Sequence, residues 1–449
     1  MSRLACIMSQ FPRYDEAFIL RELVELSKGP SELLILSLRP CRDRVMHEQA
    51  KSLLSKTVYA PFLWSRYLWR SHGWFLRRRP RVYWGALGWI LSRHARHPVI
   101  LVKTLAFFPK TVHFAKVALE REVTHLHAGW ATYPAACALL MSRLTDIPYS
   151  LAGHAHDLYT TNPTLAEKIR GARFVVTCTE ENKRYLEQLL NGHAGRVLRP
   201  RPGTPAASFG EAKRAGVADG SAGCREAPGP LCVTRPAELP TPRIVVSYHG
   251  VDLSRFAAVP KSTSALCRLL AVGSLLPCKG YETLIDSCRL LAERAVPFHC
   301  TIAGGGPLEG ALRRLIERHG LRGQVEITGY VTQERVASLY QHAHLFALPL
   351  RSQIHWGIPN VLIEALATKT PVICCGLPSM RELVEHGTSG WIIPENDPPA
   401  LADAVTSLWR DPVLRVRLGE AGYRRVAERF ALEVTGARLR AVFAEWVVG

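Results

Sequence analysis

The sequence predicts an α/β protein whose strands lie in parallel sheets. Residues 1–40 read as strand, loop, helix and strand, an opening that suits a parallel sheet. Residues 351–394 continue that rhythm as helix, strand, helix and strand. The 449 residues allow two or three domains with sizeable cores.

Composition narrows the class further. Apolar residues make up 47% of the chain and charged residues 21%, which excludes wholesale disorder. The net charge of +19 suggests an anionic partner: a phosphorylated ligand, a membrane surface or nucleic acid. Twelve cysteines are scattered with no Cys-x2-Cys spacing, so neither a zinc site nor a disulfide framework follows. They read as buried free thiols in a reducing compartment. No apolar leader opens the chain, and runs such as Val82–Leu91 are too short to span a bilayer. The expectation is a cytoplasmic protein, peripheral on the cytoplasmic face of the membrane.

The first strand covers Leu4 to Met8, and the first helix spans 16–27 with Phe18, Ile19, Leu23 and Leu26 along one stripe. A second strand covers Glu32 to Leu38. Residues 49–119 then contain no Asp or Glu, thirteen Lys or Arg, and five of the ten Trp: Trp64, Trp69, Trp74, Trp84 and Trp89. Arg77, Arg78, Arg79 and Arg81 form the densest cluster. Arginine attracts anionic headgroups and indoles settle at a polar–apolar boundary, so the stretch reads as a membrane-facing surface. A free basic surface, or one that stacks nucleic-acid bases, uses the same residue types.

Residues 125–144 read as a strand end and a helix, 147–152 and 173–179 as strands, and 180–190 as a helix. Residues 191–243 hold eight Pro and eight Gly in 53 positions, with Phe209 the only aromatic, and are expected to be a disordered insert. Residues 244–252 resume as a strand and 257–264 as a linker. Further strands are expected at 269–272, 298–303, 325–329, 345–349, 370–373 and 391–393. Helices are expected from 308, at 333–341, 359–369, from 379, at 399–409 and at 412–429. Gly304-Gly305-Gly306-Pro307 is a tight strand-to-helix turn and not a dinucleotide fingerprint, since Glu309 stands at the third glycine position.

The stretch Trp356-Gly357-Ile358-Pro359-x4-Glu364-Ala365-Leu366-Ala367-Thr368-Lys369-Thr370-Pro371-Val372 resembles the donor-site signature of retaining glycosyltransferases of family 4. Those enzymes have the GT-B fold. Trp356 stands where the family carries the first Glu of its Glu-x7-Glu pair, and Lys369 where it carries Gly. Lys279-Gly280 matches the family's other diphosphate motif, with Ser274 at the place of its Arg. In GHAHDLY (153–159), His154 and Asp157 match a His and an acid that face the donor sugar and diphosphate. Residues 244–252 resemble the family's "nGvD" segment, and FPRYDEAFILREL its acceptor loop. The resemblance covers about 125–190 and 244–430 well and 1–40 loosely, and it is nearest to exopolysaccharide and colanic-acid-type group 1 enzymes.

The resemblance implies two Rossmann-like parallel-sheet domains facing a cleft: an acceptor-side domain 1–256, a donor-binding domain 257–430, and a terminal helix 431–449 that crosses back. It implies transfer of a sugar from a nucleotide-diphosphate donor to a glycan or lipid-linked acceptor with retention of configuration, in cell-surface polysaccharide synthesis. The expected catalytic residues are His154, Lys279 and Glu364. Lys279 would hold the diphosphate, Glu364 would accept ribose hydroxyls, and His154 would contact sugar or phosphate. Asp157, Gly357, Ile358, Pro359, Asn360, Val361 and Leu362 are expected to bind the donor, partly through helix N-terminal amides. No cofactor, no metal and no nucleic-acid partner are expected. Trp356 has one donor and no acceptor, so it cannot repeat a carboxylate's contacts. The alternative is a catalytically inactive subunit that binds a membrane or a partner enzyme.

Overall fold

The computed structural model describes residues 2–13, 16–41, 46–62, 64–192, 242–261, 264–352 and 357–448. Trp356 and nearly all of the 191–243 segment lie outside the described residues. Among the described residues, thirteen strands form two wholly parallel sheets. The first holds β1 (Arg3–Met8), β2 (Glu32–Ser37), β3 (Thr57–Tyr59), β4 (His125–Ala128), β5 (Tyr149–Gly153), β6 (Phe174–Thr177) and β7 (Arg243–Val246), in the order β3-β2-β1-β4-β5-β6-β7. The second holds β8 (Cys267–Val272), β9 (Phe298–Ala303), β10 (Val325–Gly329), β11 (Leu345–Leu348), β12 (Val372–Cys375) and β13 (Trp391–Ile393), in the order β10-β9-β8-β11-β12-β13.

The central strands are apolar on both faces because helices cover both. One face of the first sheet packs on Ala17–Ser27 and on the chain's last α-helix, Leu432–Phe443, whose Leu439, Val442 and Phe443 join a core with Leu4, Cys6, Ile35 and Phe174. The other face packs on Arg66–Arg78, Pro80–His94, Pro98–Glu120 and Tyr133–Thr145. Proline opens three of these four, where its missing N–H costs nothing. Buried Glu25 anchors the returning helix through an ion pair to Arg440.

Several boundaries differ from the sequence reading. Arg243 opens β7 and does not close the insert, and β7 ends at Val246, so 247–252 is mostly loop. The strand expected at 370–373 is Val372–Cys375. The Thr370 amide is committed to Ala365 O at 3.1 Å, and Pro371 has no N–H to pair. The helix expected at 359–369 is Asn360–Ala367, with Pro359 as its extended N-cap. Lys369, where the resembling family carries Gly, has φ 57°. A left-handed residue just past a helix is where glycine costs least. Here Glu420 holds the lysine's ammonium at 2.9 Å, and the Tyr423 ring lies 5.3 Å away.

Candidate active site

In each sheet the strand order reverses beside a central strand, between β1 and β4 and between β8 and β11. Loops at the C-terminal ends of strands flanking such a reversal diverge and leave a crevice for ligands. In the second sheet these loops carry Gly273–Gly280 and, among the described residues, Pro349–Ser352 and Gly357–Pro359. They touch: a Cβ placed on Gly280, whose φ is 69°, would lie 1.9 Å from the Pro349 carbonyl oxygen, and Arg351 N donates to Cys278 O at 3.0 Å. Glycine is required at 280 for both reasons.

Lys279 ends the short 3₁₀ turn Pro277–Lys279 and folds back along the strand end, its Cε 4.0 Å from where a Cβ on Gly273 would be. Among the described residues no acidic group pairs with its ammonium. Burial pulls its pKa below the ordinary lysine value. A half-desolvated cation with no protein anion is suited to an anionic ligand. Arg351 is not a second free cation, since its guanidinium pairs with Glu282 at 3.3 Å.

The chain that leaves β11 past the Lys279 turn leads to the Asn360–Ala367 helix, whose N-cap supplies no side-chain acceptor. Its first turn therefore offers amides and a positive dipole end. Leu362 is a correction to the expected donor set, because its amide already donates to Pro359 O at 3.0 Å. Ile358, Pro359 and Leu362 are buried, so their side chains serve the core, while Gly357, Asn360 and Val361 stay partly exposed. Glu364, one turn on, accepts from Tyr340 Oη at 3.2 Å, and Arg21 of the first domain lies 4.0 Å away. Burial raises the Glu364 pKa, against the opposing pull of Arg21.

The first domain brings His154 to the same place. A Cβ on Gly357 would lie 3.2 Å from Ala155 Cβ, so the donor-side loop and the loop carrying His154 are in contact. His154 follows β5 and is 6% exposed, enclosed by the rings of Trp130, Phe18 and His249. Neither of its ring nitrogens has a hydrogen-bond partner. Asp157 is 1% exposed; one carboxylate oxygen accepts from the Ala131 amide and braces the turn after β4, while the other has no hydrogen-bond partner among the described residues. Burial pushes its pKa up to about 6.

Sequence reasoning missed three residues that surround His154. Cys178 follows β6, His249 follows β7, and Glu22 projects from the first helix with Oε1 3.4 Å from His249 Nδ1. Burial opposes ionisation of Cys178, but His249 and His154 outweigh it and bring the thiol down to about 6. A lone Cys and a lone His at strand ends, some seventy residues apart in the chain, carry no motif. Only the parallel register of β5, β6 and β7 unites them.

The two domains are also joined by Glu382, at the C-terminal side of the cleft. Its carboxylate accepts the Glu180 and Glu181 amides at 2.9 and 3.0 Å and the Tyr248 hydroxyl at 3.0 Å. It thereby caps the N-terminus of the first-domain helix Glu180–Leu190, where a negative charge is favoured.

Comparison with known proteins agrees with this architecture. Residues 264–425 match the family model described as "Glycosyl transferases group 1". The putative colanic acid biosynthesis glycosyltransferase WcaL of Escherichia coli is 37% identical over 172 residues, 37% of this chain and 42% of the relative. The amylovoran biosynthesis glycosyltransferase AmsK of Erwinia amylovora is 34% identical over 188 residues, 40% and 44% of the two chains. The match thus spans less than half the length of these relatives. A sucrose-phosphate synthase from Thermosynechococcus elongatus superposes with a TM-score of 0.65 at 14% identity, covering 99% of both chains. Anabaena HepE in complex with UDP gives 0.63 at 15% identity, covering 99% of this chain and 100% of that one. The chain has the GT-B fold, and its residues 264–425 are similar to group 1 glycosyltransferases.

Proposed function

We propose that this chain is a retaining glycosyltransferase. It moves a sugar from a nucleotide-diphosphate donor to a glycan or lipid-linked acceptor in cell-surface polysaccharide synthesis. The observation that carries this reading is the pairing of Lys279, which has no ion-pair partner among the described residues, with the uncapped N-terminus of Asn360–Ala367 at one reversal of strand order. WcaL and AmsK are named for polysaccharide biosynthesis, and HepE has been crystallised with UDP and with UDP-glucose. These favour the same donor class.

In this reading the leaving diphosphate gains negative charge as the sugar departs, and Lys279 and the first-turn amides are already oriented to receive it. Glu364 accepts ribose hydroxyls, and His154 contacts the sugar or its phosphate across the cleft. We assign the diphosphate no metal and the reaction no cofactor. The acceptor side is the first domain, and its exposed Arg and Trp side chains rest on the anionic membrane that carries lipid-linked acceptors.

The test is slow hydrolysis of candidate UDP- and GDP-sugars without acceptor, after a thermal-shift panel has found the donor that stabilises the protein. Lys279→Ala should lower nucleotide release roughly 10²-fold, the scale of one preorganised electrostatic contact. Turnover near the native rate in that variant would remove Lys279 from the mechanism.

A further inference from the structure

We propose that His154, Cys178 and His249 form a binding site for a soft divalent cation of the zinc class, with Glu22 orienting His249. Each side chain offers one ligand atom, and these atoms lie within 4.8 Å of one another. Zinc bonds of about 2.0–2.1 Å to nitrogen and about 2.3 Å to sulfur place tetrahedral ligands roughly 3.4–3.6 Å apart. Closure by roughly 1 Å would bring the three atoms to that spacing, with water as the fourth ligand.

A second, independent observation points to a ligand here. His154 is 6% exposed, yet both ring nitrogens are buried and unpartnered. Buried polar atoms are nearly always satisfied, so an orphaned imidazole facing a thiol and a second imidazole calls for a partner. One thiolate and two imidazoles select a zinc-class ion over magnesium or calcium, which prefer oxygen. Two outer groups lie close by. Glu22 Oε1 lies 3.4 Å from His249 Nδ1, and Asn182 Nδ2 lies 3.4 Å from Cys178 Sγ. A carboxylate behind a ligating histidine fixes its ring and raises its basicity. His249, 12% exposed, and Glu22, 24% exposed, mark the way in.

The site lies under the Gly357 loop, because Ala155 adjoins His154. A cation on His154 would take the imidazole that the proposed function gives to the donor, so zinc should block transfer. That consequence rests on the donor reading, whereas cation binding itself does not.

The test titrates Co2+ into the metal-free full chain with Cys224→Ser and Cys232→Ser, which removes two thiols of the undescribed segment. One equivalent should give the visible bands of tetrahedral cobalt and a near-ultraviolet thiolate band, both displaced by Zn2+. Cys178→Ser should abolish the thiolate band, and Glu22→Gln should weaken affinity about tenfold or more. In the otherwise native chain, stoichiometric Zn2+ should slow alkylation of Cys178 at least tenfold, which needs no variant at that position to fold. Cobalt bands that are absent, or that survive Cys178→Ser, would overturn the proposal, as would a Cys178 that Zn2+ leaves unprotected. Zinc that binds yet leaves nucleotide release unchanged supports the site and overturns only the donor role of His154.

Discussion

Glu364 shows how one residue's surroundings set its working range. Burial raises its pKa above the ordinary value of 4.5, and only the carboxylate form is a full acceptor for the ribose hydroxyls that the proposed function assigns to it. As pH falls through that raised value the carboxylate is lost, so donor KM should climb on the acid side. Glu364→Gln cannot titrate, and its donor KM should be higher at neutral pH but flat across the acid limb. Measuring donor KM between pH 5 and 8 in both proteins checks this. An acid limb of equal size in the Gln variant would assign the titration to another group.

At the scale of elements, the turn ending in Gly280 joins the loops after β8 and β11. Gly280→Ala forces a side chain into left-handed backbone, at about 1–2 kcal/mol, and drives a Cβ toward the Pro349 carbonyl, for roughly 1–3 kcal/mol more. The variant should unfold at lower urea, by about 2–5 kcal/mol in total, and should also lose nucleotide release because Lys279 is displaced with the turn. An unchanged urea midpoint would mean that the two loops part without cost. The Arg66–Arg78 helix makes a different point. Its buried side is Leu68, Ser71, His72 and Phe75, and its outer side is arginine with Tyr67 and Trp69. Such a helix is amphipathic because it packs on a neighbour, and what its outer face meets is a separate matter.

For the whole molecule, the acid-free stretch divides into packed and presented residues. Trp89 is buried and donates to Glu167 at 2.7 Å, Trp74 is half-buried, and Arg79 pairs with Asp146. Trp64, Trp69 and Trp84 are 82%, 53% and 59% exposed, and Arg66, Arg70, Arg77, Arg78 and Arg81 are exposed as well. Among the described residues no helix is long and apolar enough to cross a membrane. Each arginine near an anionic leaflet contributes about 1 kcal/mol, so five retain the protein measurably. Flotation with anionic but not neutral vesicles is expected, with loss in high salt and on changing Arg70, Arg77, Arg78 and Arg81 to Glu. Emission of Trp64, Trp69 and Trp84 should shift to the blue on binding. Equal flotation with neutral and anionic vesicles, or none with either, would sink the membrane proposal.

Local pattern by itself determined the parallel α/β class, the run of elements through the second sheet and the place of the loop that leads into the Asn360–Ala367 helix. Buried parallel strands such as Phe298–Ala303 are continuous apolar runs between helices, and the contiguous signature 357–372 lies within one strand-to-helix unit. Lys279 was legible for the same reason, as part of a local motif. Tertiary structure alone decided which groups are spent and which are free. One Asp157 oxygen and the Leu362 amide are engaged by neighbours that no spacing rule indicates, and in a stretch that reads uniformly as surface Trp89 turns inward and Arg79 pairs with Asp146. It alone gathered His154, Cys178, His249 and Glu22, because a parallel sheet brings together strand ends that lie far apart in the chain.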